Sequence, residues 1–280
     1  MKYKIEKNTV QETLIIPLYA RKVCSELYPN LYRDETAVRL IDEIDYDFSE
    51  AGKNSRGLMQ RFGSLEVAMR QNDLTWEVRD YLKTHPNAAV VNLGCGLDST
   101  GRSCDNGSCK IYNLDFPDVI AVRNGLLPAG EWEENIPCNL NDTEWFSQID
   151  ASGGAVFFAS GVFYYFLTEQ VKALVQKIAD AFPGSVLVFD AANRTAVKMI
   201  AKTWLKSAKI KDVGAYFAVS DAPQEISAWD SRLQVTSRGY MLGYTDLKDP
   251  SVSGFFRFLA RVGDGMMKMQ IVKIRFGGKQ

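Results

Sequence analysis

Two glycines separated by one residue, Gly94-Cys95-Gly96, follow directly on the apolar run Ala88-Ala89-Val90-Val91-Asn92-Leu93 and precede Leu97-Asp98. Without a Cβ at either position, the backbone can turn tightly and come close to a bound molecule. About 20 residues further on, Asp115 closes a second apolar run, Lys110-Ile111-Tyr112-Asn113-Leu114. A carboxylate there can accept hydrogen bonds from both hydroxyls of a ribose. Glycine loop and strand-end acid together make a nucleoside-binding constellation. A dinucleotide would want a third glycine three residues after the second, but position 99 is Ser99, so the helix end that would cradle a pyrophosphate is poorly prepared. A nucleoside cofactor without phosphates fits better.

Other chemistries are narrowed by what the chain lacks. Its one histidine, His85, lies in Lys83-Thr84-His85-Pro86, which reads as an exposed loop at a helix end. A histidine base or a site built from several histidine ligands is therefore not expected. The five cysteines, Cys24, Cys95, Cys104, Cys109 and Cys138, are an odd number without a dense framework. With no apolar segment near Met1, they point to a reducing cytoplasm. Cys104 and Cys109 flank Asp105-Asn106-Gly107, a turn signal rather than a zinc knuckle. With 33 Lys+Arg against 34 Asp+Glu and a net charge of -1, the chain has no long-range attraction for polyanions, and no local basic cluster replaces it. No apolar run approaches the ~20 residues needed to cross a bilayer. The expected partner is a small molecule, not nucleic acid or membrane, and monomer and homodimer both stay open.

These residues need elements to hold them. At 46% hydrophobic and 24% charged, the 280 residues can bury a sizeable globular core. The runs from Ala88 and Lys110 are followed by Ala155-Val156-Phe157-Phe158-Ala159 and Ser185-Val186-Leu187-Val188-Phe189. Near-continuous apolar strands of this kind have both faces covered, as in a parallel sheet between helices. Between the last two runs, Val171, Leu174, Val175, Ile178 and Phe182 line one face of a helix that Thr168 caps and Pro183-Gly184 stops. Strand, helix and strand then form a right-handed crossover. The fold class is α/β, doubly wound around a mostly parallel sheet.

Residues 1–86 carry helical periodicity and read as a cover on residues 87–280, which hold the cofactor domain. Asp34 is placed to cap a helix with Val38, Ile41, Ile44 and Phe48 on one stripe, and Ser64 to cap another through Leu65, Met69, Trp76, Val78 and Leu82. Gly52 to Gly57 reads as a polar loop between them. From about 209 to 246 no long period survives, and this stretch is expected to form an irregular lid or acceptor wall. Phe255 to Val262 and Met267 to Phe276, joined by Gly263-Asp264-Gly265, read as a terminal antiparallel hairpin.

S-adenosylmethionine meets the demand for a phosphate-free nucleoside: a glycine loop for its methionyl part, a carboxylate for the ribose, and polar groups for adenine and the amino-acid end. Four runs carry a family resemblance. They are Val90 to Asp98, Leu114-Asp115-Phe116-Pro117-Asp118-Val119-Ile120, Asn139-Leu140-Asn141-Asp142 with Trp145, and Ser160-Gly161-Val162-Phe163-Tyr164-Tyr165-Phe166. In this order, spanning about residues 10 to 276, they resemble the leucine carboxyl methyltransferase family, and within it the bacterial polyketide O-methyltransferases of the tetracenomycin type. The resemblance implies a Rossmann-like sheet of seven strands and S-adenosylmethionine as methyl donor. It implies that Gly94, Cys95 and Gly96 pass the methionyl part, that Asp115 holds the ribose and that Phe116 lies against adenine. Arg70, in Val67-Ala68-Met69-Arg70, matches the arginine that pairs with the cofactor carboxylate. Two positions depart from the family pattern. Asn139 stands before Leu140 where an aspartate is common near adenine, and Ser160 stands where many relatives carry glutamate.

Methyl transfer from a sulfonium is an in-line displacement whose charge the cofactor already carries, so alignment and a dry pocket are the main demands on the protein. An acidic phenol or carboxyl needs little further help. If a base acts, Tyr164, Tyr165 and Asp190 lie beyond the right strands, and Asn193 could position an acceptor. The expected activity is O-methylation of a small aromatic or polyketide-like acceptor. Methylation of a protein C-terminal carboxylate, which the change at Ser160 disfavours, and cofactor binding without catalysis are the alternatives.

Overall fold

The computed structural model describes residues 2–5, 14–48, 57–200, 214–245 and 247–277. The expected polar loop at Gly52 to Gly57 lies outside these residues except for Gly57, as does 201–213 of the connection to the expected lid.

Three helices precede the sheet: α1 (Ile15–Leu27), α2 (Glu35–Glu43) and α3 (Leu58–Leu82). Asp34 caps α2 as its position predicts, its carboxylate accepting the Ala37 N–H at 2.7 Å. Ser64 caps nothing. It is buried within the 25-residue α3, where its hydroxyl donates to the Arg61 carbonyl at 2.9 Å. A serine satisfied by the preceding turn does not interrupt a helix, so α3 begins seven residues earlier than its apolar stripe suggests. Trp76 also leaves that stripe: it is 46% exposed and packs edge-on against Tyr244. Tyr3–Lys4 and Ile44–Asp45 form a short parallel pair beside these helices.

The strands follow as β1 (Ala89–Leu93), β2 (Lys110–Asp115), β3 (Glu133–Pro137), β4 (Ala155–Ala159), β5 (Val186–Ala191), β6 (Leu233–Gly239) and β7 (Gln270–Phe276). Interleaved with them are α4 (Thr100–Ser103), α5 (Pro117–Leu126), α6 (Thr168–Ala181), α7 (Arg194–Ile200), α8 (Ala222–Ser227) and α9 (Gly254–Gly265). Every residue of β1, β4 and β5 is buried, as a parallel sheet with helices on both faces requires. The order across the sheet is β3-β2-β1-β4-β5-β7-β6. The first five strands are parallel, and β7 runs antiparallel to both neighbours. This is the doubly wound sheet of seven strands with an antiparallel end.

The strand that pairs with β7 at the sheet edge is β6, not the run Phe255 to Val262. That run is α9, capped by Ser253, whose hydroxyl accepts the Phe256 N–H at 3.2 Å. Phe256, Ala260 and Gly263 are its buried residues, a helical spacing that a short aromatic run conceals. Thr168 opens α6 as expected but as its first helical residue. The cap position is Leu167, whose N–H donates to the Gln170 side chain at 2.8 Å.

The sheet separates two apolar layers. On one side α3 and α9 pack over Val90, Val156, Phe158 and Val188. On the other, α6 and Trp145 pack over Val91, Phe157 and Leu187. A smaller cluster ties α1 and α2 to Leu97 and to Val122 and Leu126 of α5.

Candidate functional site

In such a sheet ligands bind beyond the carboxyl ends of the strands, where the chain reverses its direction of winding. Here that point lies between β1 and β4. The glycine loop leaves β1 with Gly94 at φ +68° and Gly96 at φ +47°, left-handed conformations that glycine adopts without strain. A Cβ on Gly94 would come within 2.6 Å of Val162, so the loop can lie against the segment after β4 only as glycine.

The loop and the acid at the end of β2 are fastened together. The Gly96 N–H donates to Asp115 at 2.8 Å, and the other carboxylate oxygen accepts the Phe116 N–H at 2.8 Å. Burial pushes the Asp115 carboxyl above its ordinary range, against the pull of these two N–H groups. Below the loop, buried Arg123 donates to the carbonyls of Gly96 at 2.9 Å and Asp98 at 2.7 Å.

From the helices come two arginines. Arg70 of α3 reaches Asp190 at 3.1 Å, and Gly161 lies so close to the guanidinium that a Cβ there would stand 3.1 Å from both terminal nitrogens. Asp190 also takes the Gly161 N–H at 2.6 Å and lies beside Tyr164. Burial opposes the Arg70 charge, but Asp190, the two tyrosines Tyr240 and Tyr164, and Glu66 more than restore it. Arg21 of α1 donates to the Leu97 carbonyl at 2.9 Å and pairs with Asp34 and Asp98 at 3.2 and 3.3 Å. Asp98 further accepts from Gln71 at 2.9 Å and from Asn92 at 3.2 Å. The Nε atoms of Arg21 and Arg70 are both buried without a hydrogen-bond partner. Each guanidinium therefore keeps one N–H donor that the chain's own groups do not engage, although carboxylates already surround both.

Arg70, Gly94, Cys95, Gly96 and Ser160, five of the predicted positions, line this one cleft. Leu14, Pro17, Arg21, Gln71 and Asp98 join them there without having been singled out in the sequence. Asp98 carried a signal, as an acid two residues past the glycine loop that needs a partner once buried. Arg21 carried a fainter one, a charge three residues from Leu18 on a buried stripe. Ser160 donates to Gln71 at 3.1 Å.

The remaining predicted residues stand apart from the lining. Asp115 touches the loop from outside, and Phe116 next to it is 45% exposed. Asn139 accepts the Asn141 N–H at 3.1 Å in a local turn, and Leu140 is buried with Trp145. Asn193 accepts the Ala196 N–H at 3.0 Å and donates to the Met266 carbonyl at 2.8 Å, so its amide joins α7 to the end of α9. Burial and the adjacent Asp190 hold the Tyr164 hydroxyl well above its ordinary range, and Asp190 is committed to Arg70. Neither makes a ready base. Burial pushes the Cys95 thiol up likewise, and all five cysteines are free. His85 is exposed and stacks on Tyr81. Among the described residues no cluster could hold a metal, and no helix is long and apolar enough to cross a membrane.

Known proteins resemble this chain in fold and in sequence. A solved structure from Thermobifida fusca superposes with a TM-score of 0.58 over 92% of this chain and 94% of the other at 17% identity. A DUF574 family protein from Streptomyces avermitilis does so with 0.58 over 91% and 96% at 11% identity. Both share the fold. In sequence the chain is similar to the tetracenomycin polyketide synthesis O-methyltransferase TcmP of Streptomyces glaucescens, 29% identical over 186 residues, which are 65% of this chain and 66% of that protein. It is also similar to the S-adenosyl-L-methionine-dependent methyltransferase dpfgK of Gibberella zeae, 25% identical over 86% of this chain and 85% of the other. Residues 17–179, more than half of the chain, match the leucine carboxyl methyltransferase family. The chain belongs to that family and is an S-adenosylmethionine-dependent methyltransferase.

Proposed function

We propose that this enzyme methylates a hydroxyl or carboxyl oxygen of a small aromatic, polyketide-like acceptor. The observation that carries the cofactor half of this reading is the shared cleft of Arg70 and the Gly94 to Gly96 loop, with two guanidinium Nε atoms buried and unpartnered beside it. Arg70 would hold the cofactor carboxylate, the open glycine backbone its methionyl chain, Asp115 the ribose hydroxyls and exposed Phe116 one face of adenine. Asn139 would meet the adenine edge through an amide, and Leu140 would shape the wall behind it. When bound, S-adenosylmethionine supplies a methyl group on a positively charged sulfur, open to in-line attack.

The chain's own residues orient the two partners and exclude water. Tyr165 and Tyr216, 42% and 54% exposed, stand on the segments after β4 and before α8, where Tyr216 is fixed by its N–H to the Tyr164 carbonyl at 2.7 Å. Aromatic faces at this edge support an aromatic acceptor, and the similarity to a polyketide O-methyltransferase supports it from outside. The irregular backbone from 214 to the start of α8 would serve as acceptor wall.

Radiolabelled S-adenosylmethionine separates the readings. Label transferred to phenolic or carboxylic polyketides, but not to proteins of a cell extract, is the expected result. Label found only in protein C-terminal carboxyls would replace this acceptor with a polypeptide. Failure of calorimetry to detect S-adenosylhomocysteine at millimolar concentration would remove the cofactor assignment itself.

A further inference from the structure

Four residues before Arg70 on the same face of α3 lies a second carboxylate, Glu66. Tyr240, just past β6, donates to it at 3.2 Å. From β5, Asp190 reaches the same guanidinium, and Tyr164, beyond β4, lies within electrostatic reach of Asp190. Arg70, Tyr240 and Asp190 are the charged and titratable groups that act on half-buried Glu66, so two carboxylates lie in the field of one guanidinium. Asp190 has the better seat, with Arg70 and the Gly161 N–H both donating to it. Glu66 has one hydroxyl donor. Burial pushes its carboxyl up to about 7, although Arg70 and Tyr240 pull it back. It thus stands near the middle of its titration at neutral pH, without any ligand.

A cofactor carboxylate on Arg70 would be a third anion beside the same cation. Like charges sharing one site disfavour ionisation of the least supported member. We propose that Glu66 is a proton-accepting positioning residue: it takes up a proton as the cofactor carboxylate docks on Arg70, so that cofactor binding is coupled to pH. The inference rests on the placement of the cofactor carboxylate at Arg70 given above. The proton comes from solvent, binds the Glu66 carboxylate and leaves again with the product; no bond of the substrate is involved. The sign follows from linkage. A bound state that holds more protons than the free state binds best at low pH, and affinity falls as pH rises through the free-state titration.

The test is calorimetry of S-adenosylhomocysteine binding to the full chain, in buffers of contrasting ionisation enthalpy, from pH 6 to 9. Net uptake of up to one proton is expected above pH 7, with Kd rising by up to about tenfold per pH unit there. Glu66→Gln should abolish that uptake and flatten the pH profile. Tyr240→Phe, which removes the one hydroxyl donor while leaving the carboxylate in place, should shift the profile to higher pH, and it serves as the second variant if Glu66→Gln does not fold. Zero uptake or proton release in the unaltered chain overturns the inference, as does uptake that persists unchanged in Glu66→Gln. Arg70→Ala separates this from the underlying reading: if it weakens binding at least tenfold while no uptake is seen, the carboxylate site stands and the Glu66 role falls. If it binds S-adenosylhomocysteine unchanged, both fall.

Discussion

Asp115 receives two backbone N–H groups, yet a carboxylate has about four lone-pair positions, so acceptor capacity remains for two ribose hydroxyls. Its replacement tests the cofactor assignment at one atom pair. Asp115→Ala should weaken S-adenosylhomocysteine by ~1 to 3 kcal/mol, the usual worth of hydrogen bonds to a charged group, read by calorimetry at fixed pH. Unchanged affinity would remove the ribose assignment. At this scale the site was legible where backbone conformation dictates residue type. Gly94 and Gly96 occupy left-handed positions that few other residues tolerate, and this restriction shows in the sequence. Gln71 was not legible and Arg21 only faintly so, because nothing local assigns a helix arginine or glutamine to Asp98, tens of residues away. That pairing exists only once α1 and α3 have docked beside the loop.

At the scale of elements, burial on both faces wrote β1, β4 and β5 into the sequence as apolar runs. The same rule hid β3 and β6, edge strands whose exposed residues, Glu134 and Thr236 to Arg238 among them, give no such run. Helix α9 was concealed for another reason: its aromatic cluster satisfies strand and helix patterns alike, and the deciding feature is the cap at Ser253. Ser253→Ala should therefore cost about 1 kcal/mol of stability, measured by urea unfolding. Three residues past Arg70, α3 holds a less comfortable group. Asp73 is 1% exposed, one of its oxygens has no partner, and burial with Asp264 and Glu77 nearby pushes its carboxyl up to about 9. A carboxyl whose folded-state pKa is raised keeps its proton in the fold but loses it on unfolding. Stability therefore declines from the unfolded value near 4 up to about pH 9, and the decline ends there. Asp73→Asn should flatten that decline, with a higher Tm than the parent at pH 8 and no advantage at pH 4. A parent and variant with parallel Tm profiles would refute the assignment.

For the whole molecule, the decisive strand is β7, which lies between β5 and β6 and bonds to both. A chain ending at residue 265 keeps every part of the cofactor cleft in sequence, but leaves β5 with an open edge and β6 detached. It should fail to unfold cooperatively and should be cut rapidly by protease; a cooperative transition near that of the full chain would contradict this. β7 also secures α3 directly, since Lys273 donates to Glu77 at 2.6 Å across 196 residues of sequence. The helix that carries Glu66, Arg70 and Gln71 is thus made early and clamped late. At the ~5 to 20 residues per second of ribosomal synthesis, the apolar faces of α3 wait roughly 10 to 40 seconds for the strand that completes their cover. During that interval the segment that will define the methyl-donor cleft exposes apolar surface of the kind that makes incomplete folds prone to aggregate.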